Sequence, residues 1–201
     1  HHRARDQRPL SAEQRTLQLE RCAHGSRAFF KKSHAIAARE ISWTRLRARW
    51  YYVTSLGGDL ALMRRILTHA RRTGAHVAWN PGSGEIAHGW KAVAPLAAQC
   101  TVFNCNREEA AQLAGCDQQD IKTIITTLGG TPEACEHCGP SCDACGAMAA
   151  ACGPYLLITD GSGGAYVRTG DTTRHIASLN LKAINTTGAG DAFGSAFVLG
   201  L

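Results

Sequence analysis

No run of apolar residues in this chain approaches the roughly 18 that a membrane-crossing helix needs. Its charged N-terminus is not followed by the apolar stretch of a secretory leader. These two absences point away from a membrane span and from export, and the expected compartment is the cytosol. There is no internal repeat. Acidic residues are scarce at one end: residues 1–72 hold 16 of the 22 Lys and Arg but only 5 of the 16 Asp and Glu, which concentrates the net charge of +6 there. Aromatic residues, at 6% of the chain, do not interleave with that basic run. A platform for stacking bases would need them to. The run is therefore read as a solvated basic arm, and nucleic acid is not an expected partner.

What is present is ordinary for a globular protein. The 201 residues with 44% hydrophobic content suffice for one domain with a core. The first residue is His1, and Leu201 falls inside an apolar segment before any helix stop signal. Both ends read as cut, and a partial domain is the expectation.

Residues 1–40 are polar and Arg-rich, without a clear strand period, and are set apart as a basic segment of uncertain structure. Ser11 and Gln14 could form a capping box for a short helix through Cys22. From residue 41 the pattern changes. Trp50 to Ser55 is aromatic and β-branched, a buried strand. Asp59 can cap a helix in which Leu60, Met63, Ile66, Leu67 and Ala70 recur at helical spacing, and Gly74 stops it. Strands follow at 76–79 and 101–103, and helices at 107–114 and 121–128. Tyr155 to Thr159 is a continuous apolar strand, with shorter ones at 165–168 and 175–179. A last helix follows Gly190. Apolar strands alternating with helices predict a mostly parallel sheet covered on both faces. Ligands in such sheets sit beyond the carboxyl ends of the strands.

The chemistry is concentrated in Asn185-Thr186-Thr187-Gly188-Ala189-Gly190-Asp191-Ala192-Phe193. Small residues let backbone N–H groups approach an anion, and the apolar run from Ala192 to Leu199 presents a helix N-terminus to it. Asp191, where turn becomes helix, can take a proton from an attacking hydroxyl. A glycine turn alone would more often be a plain helix entry. The longer string Thr-Thr-Gly-Ala-Gly-Asp-Ala-Phe resembles the C-terminal signature of the ribokinase-like sugar kinases, the PfkB carbohydrate kinase family. Trp79-Asn80-Pro81-Gly82-Ser83, Asn106-Arg107-Glu108-Glu109 and Thr159-Asp160-Gly161-Ser162-Gly163-Gly164-Ala165-Tyr166 resemble three further stretches of that family, in its order. The resemblance covers about residues 41–201.

That resemblance implies an α/β, three-layer ribokinase-like (Rossmann-like) domain with a mostly parallel central sheet, incomplete at both ends. It implies a sugar or nucleoside kinase using ATP and Mg²⁺, with a small-molecule sugar or nucleoside substrate, and it allows a homodimer. Asp191 would be the catalytic base, and the N–H groups of Gly188, Ala189 and Gly190 the anion hole. Asn106 and Glu109, three apart on one helix face, would help hold Mg²⁺ and phosphate partly through water. Their alternative is a helix cap. Thr159, Gly161 and Gly164 would lie at the nucleotide, or simply connect two strands. Asn185 stands where the family usually has Asp. With Thr187 it keeps a carbonyl ligand for a monovalent cation but loses the charge.

One segment, about 132–153, has no counterpart in the family. Cys135, Cys138, Cys142 and Cys145 form paired Cys-x-x-Cys steps that suit tetrahedral zinc. The middle spacer is short for a zinc ribbon, and the alternative is an insertion of free thiols. Cys22, Cys100, Cys105 and Cys116 are read as buried small apolar side chains. The rival to a kinase is a non-catalytic Cys-rich module binding metal or nucleic acid on a degenerate kinase scaffold.

Overall fold

The computed structural model describes residues 27–30 (backbone), 41–129, 155–179 and 188–201. Strands β1 (Arg27–Phe30), β2 (Trp50–Val53), β3 (His76–Trp79), β4 (Val102–Asn106), β5 (Tyr155–Thr159), β6 (Ala165–Thr169) and β7 (Thr172–Ile176) form one sheet in that order. Strands β1 to β5 are parallel, and β6 and β7 are antiparallel additions. The order rises steadily along β1 to β5, so right-handed crossovers must lay their helices on one face. Helices α1 (Leu60–Thr73), α2 (Ser83–Ile86), α3 (Trp90–Ala97), α4 (Arg107–Ala114) and α5 (Ile121–Gly129) all contribute to a single core there. Helix α6 (Ala189–Leu199) covers the opposite face, giving three layers.

The strand period of two sorts the side chains between these cores. Tyr51, Val53, Val77, Trp79, Phe103, Cys105, Leu156 and Ile158 enter the large core. Tyr52, Ala78, Val102 and Leu157 face α6, where they meet Val198, Phe193 and Phe197. Continuing that parity puts Asn80, Asn104, Asn106 and Thr159 on the α6 side, at the carboxyl ends of β3, β4 and β5.

Helix α1 starts and stops as its sequence predicts. Asp59 Oδ1 accepts from the Leu62 N–H at 2.8 Å, and Gly74 ends the helix at φ 69° in the left-handed conformation. Other elements depart from expectation. β1 lies within the segment set apart as 1–40 and pairs with β2, so a division at residue 40 cuts through the sheet. Four residues are too few for a two-residue period to stand out. Helices α2 and α3 lie between the strands expected at 76–79 and 101–103, where the sequence pattern predicts no helix. β7 occupies 172–176 rather than 175–179. Thr169 pairs with Thr172, so Gly170 and Asp171 make a two-residue hairpin turn with Gly170 at φ 54°. Among the described residues no helix is long and apolar enough to cross a membrane. The helix expected at 11–22 and the insertion at about 132–153 lie outside the described residues.

Candidate active site

The N-terminus of α6 rests over the carboxyl ends of β3, β4 and β5. Gly188 precedes the helix at φ 80° and supplies no side-chain cap. The first N–H groups of a helix have no partner within it, so those of α6 are left to whatever occupies the space in front. That space is a cavity of about 200 Å³ lined by Gly188, Gly190, Asp191, Asn80, Asn104, Asn106, Glu109 and Thr159 among others. At Gly188 and Gly190 a Cβ would meet no protein atom within 4 Å. The positive φ accounts for glycine at 188. Packing does not require it at 190, where a side chain would project into open space.

Asp191, in the first turn of α6, is fixed by a partner distant in sequence: Asn80 Nδ2 donates to Asp191 Oδ1 at 3.3 Å. The amide comes from the loop that ends β3, within the Asn-Pro-Gly stretch. Asn104 lies beneath. It is 2% exposed, and its Oδ1 has no hydrogen-bond partner. An unpaired buried carbonyl at a cavity wall is a costly feature that an outside donor or cation would relieve.

Asn106 and Glu109 form a reciprocal capping box at the start of α4. Glu109 N–H donates to Asn106 Oδ1 at 2.8 Å, and Asn106 N–H donates to Glu109 Oε2 at 2.9 Å. The cap and the cavity are compatible, because both residues also line the cavity and Glu109 Oε1 has no role in the box. Burial pushes the Glu109 carboxyl above its usual range. The Asn106 N–H partly offsets this, and the charge of Glu108 adds to it. Cys105, between Asn104 and Asn106, turns its side chain into the large core on the other face of the sheet, where burial raises its thiol, with Glu109 contributing.

A second cavity, of about 280 Å³, adjoins the first and shares Asn106 and Thr159 with it. Gly161 is on its wall, at φ 51° and with open space where a Cβ would be. Arg107, which motif reading passed over, gives it shape. Its Nη1 is 2.6 Å from Asp160 Oδ2, and its Nε donates to the Gln118 carbonyl at 2.6 Å. This ties the start of α4 to the turn after β5. A cation in the first turn of a helix opposes the dipole, and that was the available signal that Arg107 needed a partner.

Gly164 is placed away from both cavities. At φ 96°, its missing side chain makes room for the backbone of Ile176 to Ser178, so the close approach it permits is by the chain itself. Asn185, Thr187, Cys135, Cys138, Cys142 and Cys145 lie outside the described residues. Among the described residues no cluster of three or more His, Cys, Asp and Glu is placed to hold a metal. Oxygen donors around the first cavity, from Glu109 and the Asn104 side-chain carbonyl that has no hydrogen-bond partner, suit a hard, partly hydrated cation.

The three-layer α/β sheet with a glycine-opened helix over its strand ends has a ribokinase-like fold. The chain belongs to the pfkB family of carbohydrate kinases, whose model it matches over residues 86–201. A stretch of 46 residues is 44% identical to a ribokinase of Lactococcus lactis subsp. lactis (strain IL1403), covering 23% of this chain and 15% of that protein. Among solved structures, the adenosine kinase from Sinorhizobium meliloti superposes with a TM-score of 0.61 at 17% identity. A probable sugar kinase from Rhizobium etli CFN 42 superposes with a TM-score of 0.59 at 18% identity. Each match takes in 82% of this chain and 46% of the other, so the chain spans about half the length of those structures.

Proposed function

We propose that this chain carries the phosphoryl-transfer site of an ATP-dependent kinase acting on a hydroxyl of a sugar or nucleoside. The observation that carries the reading is the placement of Asp191. Its carboxylate stands in the first turn of α6, beside uncapped backbone N–H groups, held by Asn80 and facing a cavity that Glu109 and Asn106 also line. In this reading the γ-phosphate lies before Gly188, Ala189 and Gly190, whose N–H groups and helix dipole stabilise its charge. Asp191 accepts the proton of the substrate hydroxyl as that oxygen bonds to phosphorus. The bond from the γ-phosphorus to the β–γ bridging oxygen breaks, and ADP leaves with the electron pair. Thr159 and Gly161, on the adjoining cavity, would border the nucleotide. Glu109 would hold Mg²⁺ through water, with the Asn104 carbonyl within the same wall. When bound, Mg²⁺ supplies neutralisation of the phosphate charge.

The test is ADP release by the purified protein with ATP, Mg²⁺ and a panel of sugars and nucleosides. Acceptor-dependent release that needs Mg²⁺ and falls by roughly two to four decades in Asp191→Asn, with ATP affinity little changed, is the expected result. Equal turnover in the Asn variant removes Asp191 from the mechanism.

A further inference from the structure

Asn106 and Thr159 are the last register partners of β4 and β5. Beyond them the two chains part: residue 107 opens α4, and residue 160 opens the turn that leads into β6. The side chains of Arg107 and Asp160 close this gap, with Nη1 2.6 Å from Oδ2. They are 19% and 23% exposed, so salt screens the pair less than it would on an open surface. Arg107 also reaches a third segment, the connection from α4 to α5. Its Nε donates to the Gln118 carbonyl at 2.6 Å and its Nη2 to the Gln119 carbonyl at 3.3 Å. Three segments around the second cavity thus meet at one guanidinium. The planar fork matters here. Lysine, a point charge on one stem, could not serve a carboxylate and two carbonyls together.

The Asp160 end is fitted as closely. Its turn closes on itself: the Asp160 N–H donates to the Gly164 carbonyl at 2.8 Å, and the Gly163 N–H to the Asp160 carbonyl at 2.7 Å. The Asp160 carboxylate lies over Gly163, in the space a Cβ there would need. A carboxylate seated in its own turn carries that turn with it, and Gly161 of the turn is on the cavity wall. Charge points the same way. Glu108 and Asp160 place two carboxylates on that wall, and Arg107 is the cation among the lining residues. Left unanswered, both carboxylates would repel a polyphosphate.

We propose that Arg107 is a positioning residue for the nucleotide: through Asp160 it sets Thr159 and Gly161 against Asn106, and it cancels a charge that would oppose the phosphates. This rests on reading the second cavity as bordering the nucleotide. A turn that holds its binding geometry for less of the time weakens the apparent affinity in proportion.

Two readouts need no turnover. In Arg107→Met the Asp160 and Gly163 amides should exchange with solvent roughly tenfold faster than in wild type, and unchanged exchange overturns the proposal. ADP titrations, followed by amide chemical shifts, should show affinity roughly tenfold weaker in Arg107→Met. Arg107→Lys keeps the charge without the fork and should stay weaker than wild type, whereas wild-type affinity there overturns positioning by the fork. Asp160→Ala should also weaken binding, and combining it with Arg107→Met should cost less than the sum of the two. Additive losses overturn the coupling. If Arg107→Met does not fold, Arg107→Lys and Asp160→Ala carry the comparison with wild type. A wild-type protein that binds no ADP would overturn the nucleotide reading and the positioning role together. Wild-type binding with undiminished affinity in the Arg107 variants overturns the positioning role alone.

Discussion

Replacing Glu85 by glutamine, a change of one atom, should cost much of the protein's stability. Glu85 is 0% exposed, and both carboxylate oxygens are fully used. Oε1 accepts from the N–H groups of Leu56 and Gly58, each at 2.7 Å. Oε2 accepts from the Gly82 N–H at 2.8 Å and the Ser55 hydroxyl at 3.2 Å. The carboxylate therefore clamps the loop after β2 to the loop after β3. Gln keeps one acceptor oxygen. If that oxygen serves Leu56 and Gly58, its NH₂ meets the Gly82 N–H donor to donor. The stranded N–H costs about 1–3 kcal/mol, and each retained bond loses about 1 kcal/mol of charge assistance. Relief from burying a charge offsets part of this, leaving about 2–4 kcal/mol against a typical total of about 5–15 kcal/mol. The assay is urea unfolding followed by circular dichroism, with an unchanged m-value confirming that the native state is what moved. Glu85→Ala should be no milder, because it strands all three N–H groups. A Gln variant within about 1 kcal/mol of wild type would show that water or loop movement satisfies these donors, and would refute the clamp.

Three further outcomes follow from the site. Glu109→Gln should raise the Mg²⁺ concentration for half-maximal activity, and superimposable Mg²⁺ titrations would return Glu109 to the role of a cap. The same variant should change the pH dependence of stability. Burial raises the folded-state Glu109 carboxyl, so its contribution is fully present below the unfolded value of about 4.3 and is lost as pH rises through the raised folded value. Urea midpoints should therefore fall less over that window in Glu109→Gln than in wild type, and parallel profiles would contradict the shift. Gly194→Ala should destabilise by about 1–3 kcal/mol through overpacking against Tyr52 and Asn104, measured as a lowered melting temperature. An unchanged melting temperature would mean that α6 lifts freely from the sheet.

The features that sequence reading recovered depend on neighbours along the chain. Asp59 and Gly74 bound α1 because a cap needs only the helix it caps. The Gly188 to Asp191 turn is visible because its parts are consecutive. Helices α2 and α3 were missed because Gly82, Gly84, Gly89 and Pro95 carry loop signals that tertiary packing overrides: Ile86, Val93, Leu96 and Ala97 are buried in the large core. Glu85 was missed for a related reason. Its donors at Leu56 and Gly58 are 29 and 27 residues away, and no local pattern announces them. The contact between Asn80 and Asp191 spans 111 residues. Yet half of the argument for it was in the sequence. Asn80 shares strand parity with Ala78, and Asn104 and Asn106 share it with Val102, so strand reading alone assigns each set to one face of its strand. What strand reading could not supply is that these strands lie side by side and that α6 covers that face rather than the other. Sheet order makes a period-two pattern into a site: three polar strand ends become neighbours only once β3, β4 and β5 are adjacent, and a glycine at 194 matters only once Tyr52 lies beneath it.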